Sequence, residues 1–269
     1  MNSVIELNYH KTNTFLIRGE DRYLLFDTGA PGTLESFLKA LETAGVRLSD
    51  IAYLTCSHYH SDHMGIASEI MKLGIPLVVW DVQTTYAEAA DVRISDDFTA
   101  CDPTANTRPV VVPLKDSGKF LEEIGIKGEI LATPGHSEDS ISLWLDDGTL
   151  FVGDLNKCST VSWYDRSTTA RIWRKLRKRK PLCVYYGHAK PERFDGRGHI
   201  LREQEHTDRE LYHLVQTIMK DIDAKYDLEK IQRKTGADKT FIEDVARMYL
   251  THQNVGVRGI LDRIEIKGR

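Results

Sequence analysis

The stretch Thr55-Cys-Ser-His58-Tyr-His60-Ser-Asp62-His63-Met-Gly65 places three histidines and an aspartate within six positions, directly after the apolar run Ile51–Thr55. A tight loop at a strand end can aim alternating side chains into one pocket, so His58 and His60 can hold one metal ion while Asp62 and His63 point to a second. Imidazole and carboxylate donors suit zinc, iron or manganese better than calcium or magnesium. Three further candidates stand at strand-to-loop corners: His136 in Thr-Pro-Gly-His-Ser, Asp154 in Phe-Val-Gly-Asp and His188 in Tyr-Tyr-Gly-His-Ala. Any one of them alone reads as a polar residue at a turn. With the first cluster they form a set that one edge of a β-sandwich could assemble.

The elements that must carry these residues can be read from periodicity. Residues 4–7 and 14–18 suggest short strands, and Tyr23–Asp27 a buried strand ending in a Thr-Gly turn. Leu34, Phe37, Leu38 and Leu41 fall at helical spacing, with Gly45 as the stop. Ile51–Thr55 and Pro76–Trp80 read as strands, with a helix over Ile66–Leu73 between them. From Gln83 to Arg108 polar residues dominate, and an irregular excursion over the site is expected. Strands resume at Val110–Val112, Gly128–Ala132, Ser140–Leu145 and Leu150–Val152. A basic helix over about Ser167–Arg179 leads to the strand Leu182–Tyr186. Strands and helices therefore alternate in two successive halves up to about residue 195. Residues 199–222, 227–235 and 239–252 all suggest helices, with breaks at Gly236 and Asn254. The expected division is 1–198 as catalytic domain and 199–269 as helical extension.

The motifs resemble those of the metallo-β-lactamase superfamily, all five in order: Asp27 in Phe-Asp-Thr-Gly, His58–His63, His136, Asp154 and His188. The resemblance spans residues 4–195 and implies an α/β fold, an αββα sandwich with both metals at one edge. It implies that His58, His60 and His136 bind the first ion, that Asp62, His63 and His188 bind the second, and that Asp154 bridges them. Asp27 is implied to lie behind the ligands and hold their geometry. The implied cofactor is a pair of divalent ions, zinc foremost, with iron or manganese as alternatives. A hydroxide bridging two metals would then attack the substrate, with Asp62 and Asp154 as the catalytic carboxylates. Asp-Thr-Gly is also the aspartic-protease signature, but no second Asp-Ser/Thr-Gly occurs to complete that carboxylate pair.

Branches of the superfamily narrow the substrate. The commonest zinc β-lactamases carry cysteine where Asp154 stands, and flavodiiron proteins carry glutamate in place of His60. The remaining similarity is to the glyoxalase II group and the lactone hydrolases, which implies a thioester or lactone substrate. A phosphodiesterase or ribonuclease, a single-iron persulfide-dioxygenase-like oxygenase, and a non-catalytic metal-containing sensor stay as alternatives.

Composition bounds the rest. At 269 residues with a net charge of −4, the chain gives no global reason to expect nucleic acid or an anionic membrane. No apolar run approaches a membrane span and no secretory signal opens the sequence. Cys56, Cys101, Cys158 and Cys183 are scattered, as reduced thiols of a cytoplasmic protein would be. The expected partner is a small-molecule substrate, and a homo-oligomer stays open. Seven basic residues between Arg171 and Lys180 could touch phosphate, but Ile172 and Leu176 give that run an apolar stripe, which favours a solvated helix face packed on the sheet.

Overall fold

A computed structural model describes residues 4–90, 109–161, 166–196, 200–201, 209–251 and 255–267. The first half of the chain builds one sheet. Its strands are β1 (Val4–Leu7), β2 (Thr14–Arg18), β3 (Tyr23–Phe26), β4 (Ile51–Thr55), β5 (Leu77–Trp80) and β6 (Val110–Val112), paired in that order. β1–β3 are antiparallel, and β3–β6 are parallel. The second half builds the other sheet from β7 (Gly128–Ala132), β8 (Ile141–Leu145), β9 (Thr149–Phe151), β10 (Cys183–Tyr185) and β11 (Glu192–Arg193), ordered β11-β10-β9-β8-β7. The two successive halves expected from the pattern are thus two sheets.

Alternation along the strands sorts side chains to opposite faces. Phe15, Ile17, Leu24, Phe26, Val78 and Trp80 face inward and meet Ile130, Leu143, Leu145 and Phe151 of the second sheet, all buried. The intervening Leu16, Leu25, Leu54, Leu77 and Val79 face outward onto α1 (Leu34–Thr43) and onto α3 (Ala67–Lys72), which follows the one-turn α2 (Ser61–Met64), through Phe37, Leu41, Ile70 and Met71. On the far side, Leu150, Val152 and Val184 are covered by Ile172, Trp173 and Leu176 of α6 (Thr168–Lys178). The order of layers is helix, sheet, sheet, helix. The basic run packs its apolar stripe on the sheet, and its N-cap Ser167 accepts a hydrogen bond from Ala170 N–H (3.1 Å).

Several short segments depart from the sequence reading. Within the expected excursion from Gln83 to Arg108, Thr84–Ala90 is helical (α4), and residues 91–108 lie outside the described residues. The helix α5 (Ser117–Glu123) and the two-residue β11 had no clear signal, being too short to show a period.

The C-terminal part is helical, as expected: α7 (Arg209–Asp223), α8 (Leu228–Thr235), α9 (Lys239–Thr251) and α10 (Val257–Lys267). Gly236 takes φ +69° just past α8, the left-handed stop that glycine permits. Val215, Ile218, Ile231, Ile242, Val245 and Ile260 are buried together in a cluster drawn from these helices. α10 lies beyond the helices delimited from sequence. His199, His206, His252 and Asn254 fall outside the described residues.

Candidate metal centre

Strand direction decides where the candidate residues meet. β3 and β4 are parallel, so Asp27 and the 56–63 loop leave the first sheet at the same edge. β7 is antiparallel to β8 and β8 to β9, while β9 is parallel to β10, so β7, β9 and β10 all end on one edge. His136, Asp154 and His188 follow those three ends. The sheets are stitched there by Ile141 N–H donating to Ser57 O (2.8 Å).

All seven expected ligands converge. His58, His60 and His136 form one group, Asp62, His63 and His188 a second, and His58, His63 and Asp154 a third, each with candidate ligand atoms within 4.8 Å of one another. His60 Nδ1 lies 3.0 Å from His58 Nε2 and 3.1 Å from His136 Nε2. His188 Nε2 lies 3.0 Å from Asp62 Oδ2 and 3.2 Å from His63 Nε2. Asp154 stands between the groups: Oδ1 is 3.3 Å from His63 Nε2 and 3.4 Å from His188 Nε2, and Oδ2 is 3.7 Å from His136 Nε2.

These spacings fit transition-metal ions. Donors bound at roughly 2.0–2.1 Å in a tetrahedron are about 3.3–3.4 Å apart, close to the separations here. The buried Asp154 Oδ1 has no hydrogen-bond partner, an arrangement that costs free energy unless a cation compensates it.

In His58, His63 and His188 the ring nitrogen facing away from the cluster is committed elsewhere, which selects the tautomer. His63 Nδ1 lies 2.9 Å from Asp27 Oδ2, so it carries the proton and leaves Nε2 as a ligand. Asp27, fully buried at φ +64°, also accepts from Ser57 N–H (2.7 Å) and Ser57 Oγ–H (3.0 Å). With its own proton given to Asp27, Ser57 Oγ accepts from His58 Nδ1–H (3.0 Å). One carboxylate therefore orients two imidazoles. His188 Nδ1–H donates to Lys11 O (3.0 Å). Two glycines allow this crowding: a Cβ on Gly187 would lie 2.6 Å from His63 Cε1, and one on Gly153 would lie 2.5 Å from Ser57 Oγ.

Electrostatics separates the members of the cluster. Burial, with His63 beside it, takes the His58 imidazole down to about 2, so it is neutral and ready to coordinate. Burial would lower His63 too, but the Asp154 and Asp27 carboxylates outweigh it and hold that imidazole well above its usual value. Burial opposes ionisation of Asp154, yet His188 and His63 keep it well below the usual carboxylate range.

Several contributors had no recognisable sequence signal. In the turn between β1 and β2, Thr12 Oγ1 donates to Asp62 O (2.7 Å), and Asn13 Nδ2 donates to Tyr186 O (2.9 Å) and Ala189 O (3.1 Å), straddling His188. The buried Gln83 amide donates to Cys56 O (3.2 Å) and Asp139 O (3.0 Å), while Asp139 accepts from Tyr59 N–H (2.7 Å). That network ties the His58 and His136 loops together. His10, two residues before this turn's anchors, is exposed, and Cys158 is a buried thiol near the Asp154 loop.

Residues 8–188, well over half of the chain, match the metallo-beta-lactamase superfamily. The chain belongs to that superfamily. A "Probable metallo-hydrolase" of Methanocaldococcus jannaschii is 29% identical over 61% of this chain and 78% of its own length. A hydroxyacylglutathione hydrolase of Rhodopseudomonas palustris (strain BisB5) is 26% identical over 62% of this chain and 61% of its own. The chain spans a similar share, 58%, of a beta-lactamase-like protein 2 homolog of Drosophila melanogaster. Among solved structures, a metallo-beta-lactamase family protein of Thermus thermophilus shares the fold with a TM-score of 0.51 at 20% identity, over 80% of this chain and 82% of that one. Family and relatives together support a metal-dependent hydrolase. Among the described residues no helix is long and apolar enough to cross a membrane.

Proposed function

We propose that the chain is a two-metal hydrolase that cleaves a carboxylic ester-type bond, a thioester or a lactone. His58, His60 and His136 would hold the first ion, Asp62, His63 and His188 the second, with Asp154 shared between them and zinc as the expected metal. The observation that carries this reading is the placing of Asp154, whose two carboxylate oxygens turn toward different histidine groups.

When bound, such a metal pair supplies an acidified water and an electrophile for the bond under attack. The chain supplies orientation and proton handling. The Asp62 side chain is 46% exposed, on the open side of the cluster, with Oδ2 3.0 Å from His188 Nε2, which sets its carboxylate beside the ion that the two residues would share. Asp154 is held ionised by His188 and His63 against the effect of burial, which suits it to face both ions and to orient the attacking water. Beside it lies a cavity lined by Asn156, Lys157, Thr160 and His188 and closed on one side by Val255, Gly256, Gly259 and Arg263 of the tail. This supports a role for the C-terminal helices in selecting the substrate. Their separate apolar cluster supports reading 199–269 as a helical extension of a 1–198 catalytic unit. The relative named hydroxyacylglutathione hydrolase supports the thioester class.

The test is metal quantification on the purified full chain, coupled to a panel of thioester, lactone and phosphodiester substrates. Two ions per chain with turnover of a thioester or lactone is the expected result. One ion with oxygen consumption would replace this reading by the single-iron oxygenase, and turnover of phosphodiesters alone would replace the substrate class.

A further inference from the structure

Glu192, on β11, is 6% exposed, and an ionised carboxylate at such burial must be compensated by donors. Its donors come from two places. The Tyr186 hydroxyl donates to Oε2 (2.5 Å), and Tyr186 leads into His188 two residues later. Cys158 N–H donates to the same oxygen (3.0 Å) and to the Tyr186 hydroxyl oxygen (3.2 Å), and Ser159 N–H donates to Oε1 (3.3 Å). Cys158 and Ser159 stand at the far end of the loop that leaves Asp154. One buried side chain thus ties the segment entering His188 to the segment leaving Asp154. None of these donors belongs to the loops carrying His58, His60 or His136.

The same loop is fastened at its middle, where Trp173 Nε1–H donates to Asn156 O (2.7 Å), and it forms a wall of the cavity beside Asp154 and His188. The His188 corner is held from its other side by Asn13 and Lys11. Without Glu192 the corner would keep that outer support but lose its link to the bridging carboxylate.

We infer that Glu192 is a positioning residue that sets the distance between Asp154 and His188 and so tunes the second ion's site, leaving the first largely alone. This rests on the two-metal reading above. Among the described residues each group hydrogen-bonded to Glu192 donates, which calls for a carboxylate. Glutamine has the same shape, but its amide would turn an N–H toward Ser159 N–H, Cys158 N–H or the Tyr186 hydroxyl, so at least one tie is lost.

The experiment uses the full chain, stripped of metal by a chelator and titrated with cobalt(II), whose spectrum distinguishes the two sites as they fill. In E192Q the second cobalt is expected to bind about tenfold more weakly, at the lower end of what indirect partners of a metal site contribute. The first is expected to stay within about twofold. Y186F, which keeps both backbone donors on the carboxylate, should shift the second site in the same direction by less. Hydrogen exchange on the metal-free proteins is the second measurement. Amides of residues 156–160 and 187–188 should exchange about tenfold faster in E192Q, with those of 57–63 unchanged. An E192Q protein with lowered Tm but unaltered second-site affinity would overturn the inference and leave Glu192 a structural brace. Equal weakening of both sites, or faster exchange throughout, would overturn it too. If the wild-type chain takes a single ion, the two-metal reading fails, and the exchange comparison alone decides whether Glu192 links the two segments.

Discussion

Replacing Asp27 by asparagine tests how far one buried carboxylate controls the centre. Asparagine is among the residues that tolerate φ +64°, so the backbone there should survive the exchange. Its oxygen would stay on Ser57 N–H, which leaves the NH2 group where Oδ2 now receives His63 Nδ1 and Ser57 Oγ. An N–H pointing at His63 Nδ1 forces that nitrogen to accept, and the ring proton moves to Nε2, the atom that would coordinate. Partners of this kind behind a metal ligand contribute about 10–100-fold in affinity, or roughly 1.4–2.7 kcal/mol. The loss should fall on the His63 site first, with a smaller effect on His58 through Ser57. Loss of the charge on the Ser57 hydrogen bonds should also cost roughly 1–3 kcal/mol of stability in the metal-free protein. Calorimetric zinc titration of D27N against wild type, with denaturant unfolding of both stripped proteins, reads the two effects separately. A folded D27N that binds its full complement of metal with wild-type affinity would refute the tautomer argument.

Further expected outcomes are these. Gly187→Ala should cripple the His63–His188 side, because its Cβ would fall 2.6 Å from His63 Cε1 and 2.8 Å from Asp154 Oδ1; metal analysis should show one ion retained better than the other. Asp154→Ala should empty the centre more completely than His188→Ala, as measured by elemental analysis after dialysis. The Cys158 thiol, pushed up to about 12 by burial, and the fully buried Cys56 should resist alkylation at pH 8, whereas the half-buried Cys183 should be modified; mass spectrometry under native conditions checks this. Truncation after Gly198 should leave metal binding partly intact and alter the activity profile across the substrate panel, because four tail residues wall the cavity. A soluble, two-metal truncation with an unchanged profile would remove the selecting role.

The centre was legible because its ligands are few in kind and fixed in spacing. The 58–63 cluster and the three corner residues stand out in the sequence, and the structure gathers their candidate ligand atoms into groups within 4.8 Å of one another. The strand Ile51–Thr55 was readable as a short apolar run, the mark of a strand covered on both faces. The supporting contacts were not. Asn13 and Tyr186 are far apart in the chain, as are Gln83 and Asp139, and a hydrogen bond between distant residues leaves no local pattern. Glu192 reads as one more charged residue after a proline, and only the packing of β10 and β11 buries it. Thr84–Ala90 was hidden for the opposite reason: a short helix with few apolar positions shows no period.

Each sheet comes from one half of the chain, and the halves contribute to the centre unequally but jointly. His58, His60, Asp62 and His63 leave the first sheet, while His136, Asp154 and His188 leave the second. Held as proposed, each ion would therefore take ligands from both halves and act as a cross-link at the seam between them. Beneath the centre the seam is closed by packing: Phe15 meets Phe151 at 5.1 Å and Tyr185 at 5.3 Å, and Phe26 meets Phe151 at 5.8 Å. At the candidate centre imidazoles and carboxylates stand in place of that apolar filling. Ions at a hundred times their dissociation constant would add about 2.7 kcal/mol each to the folded state, concentrated where the apolar interface runs out. Metal loading and the closing of the two halves would then be one event seen from two sides.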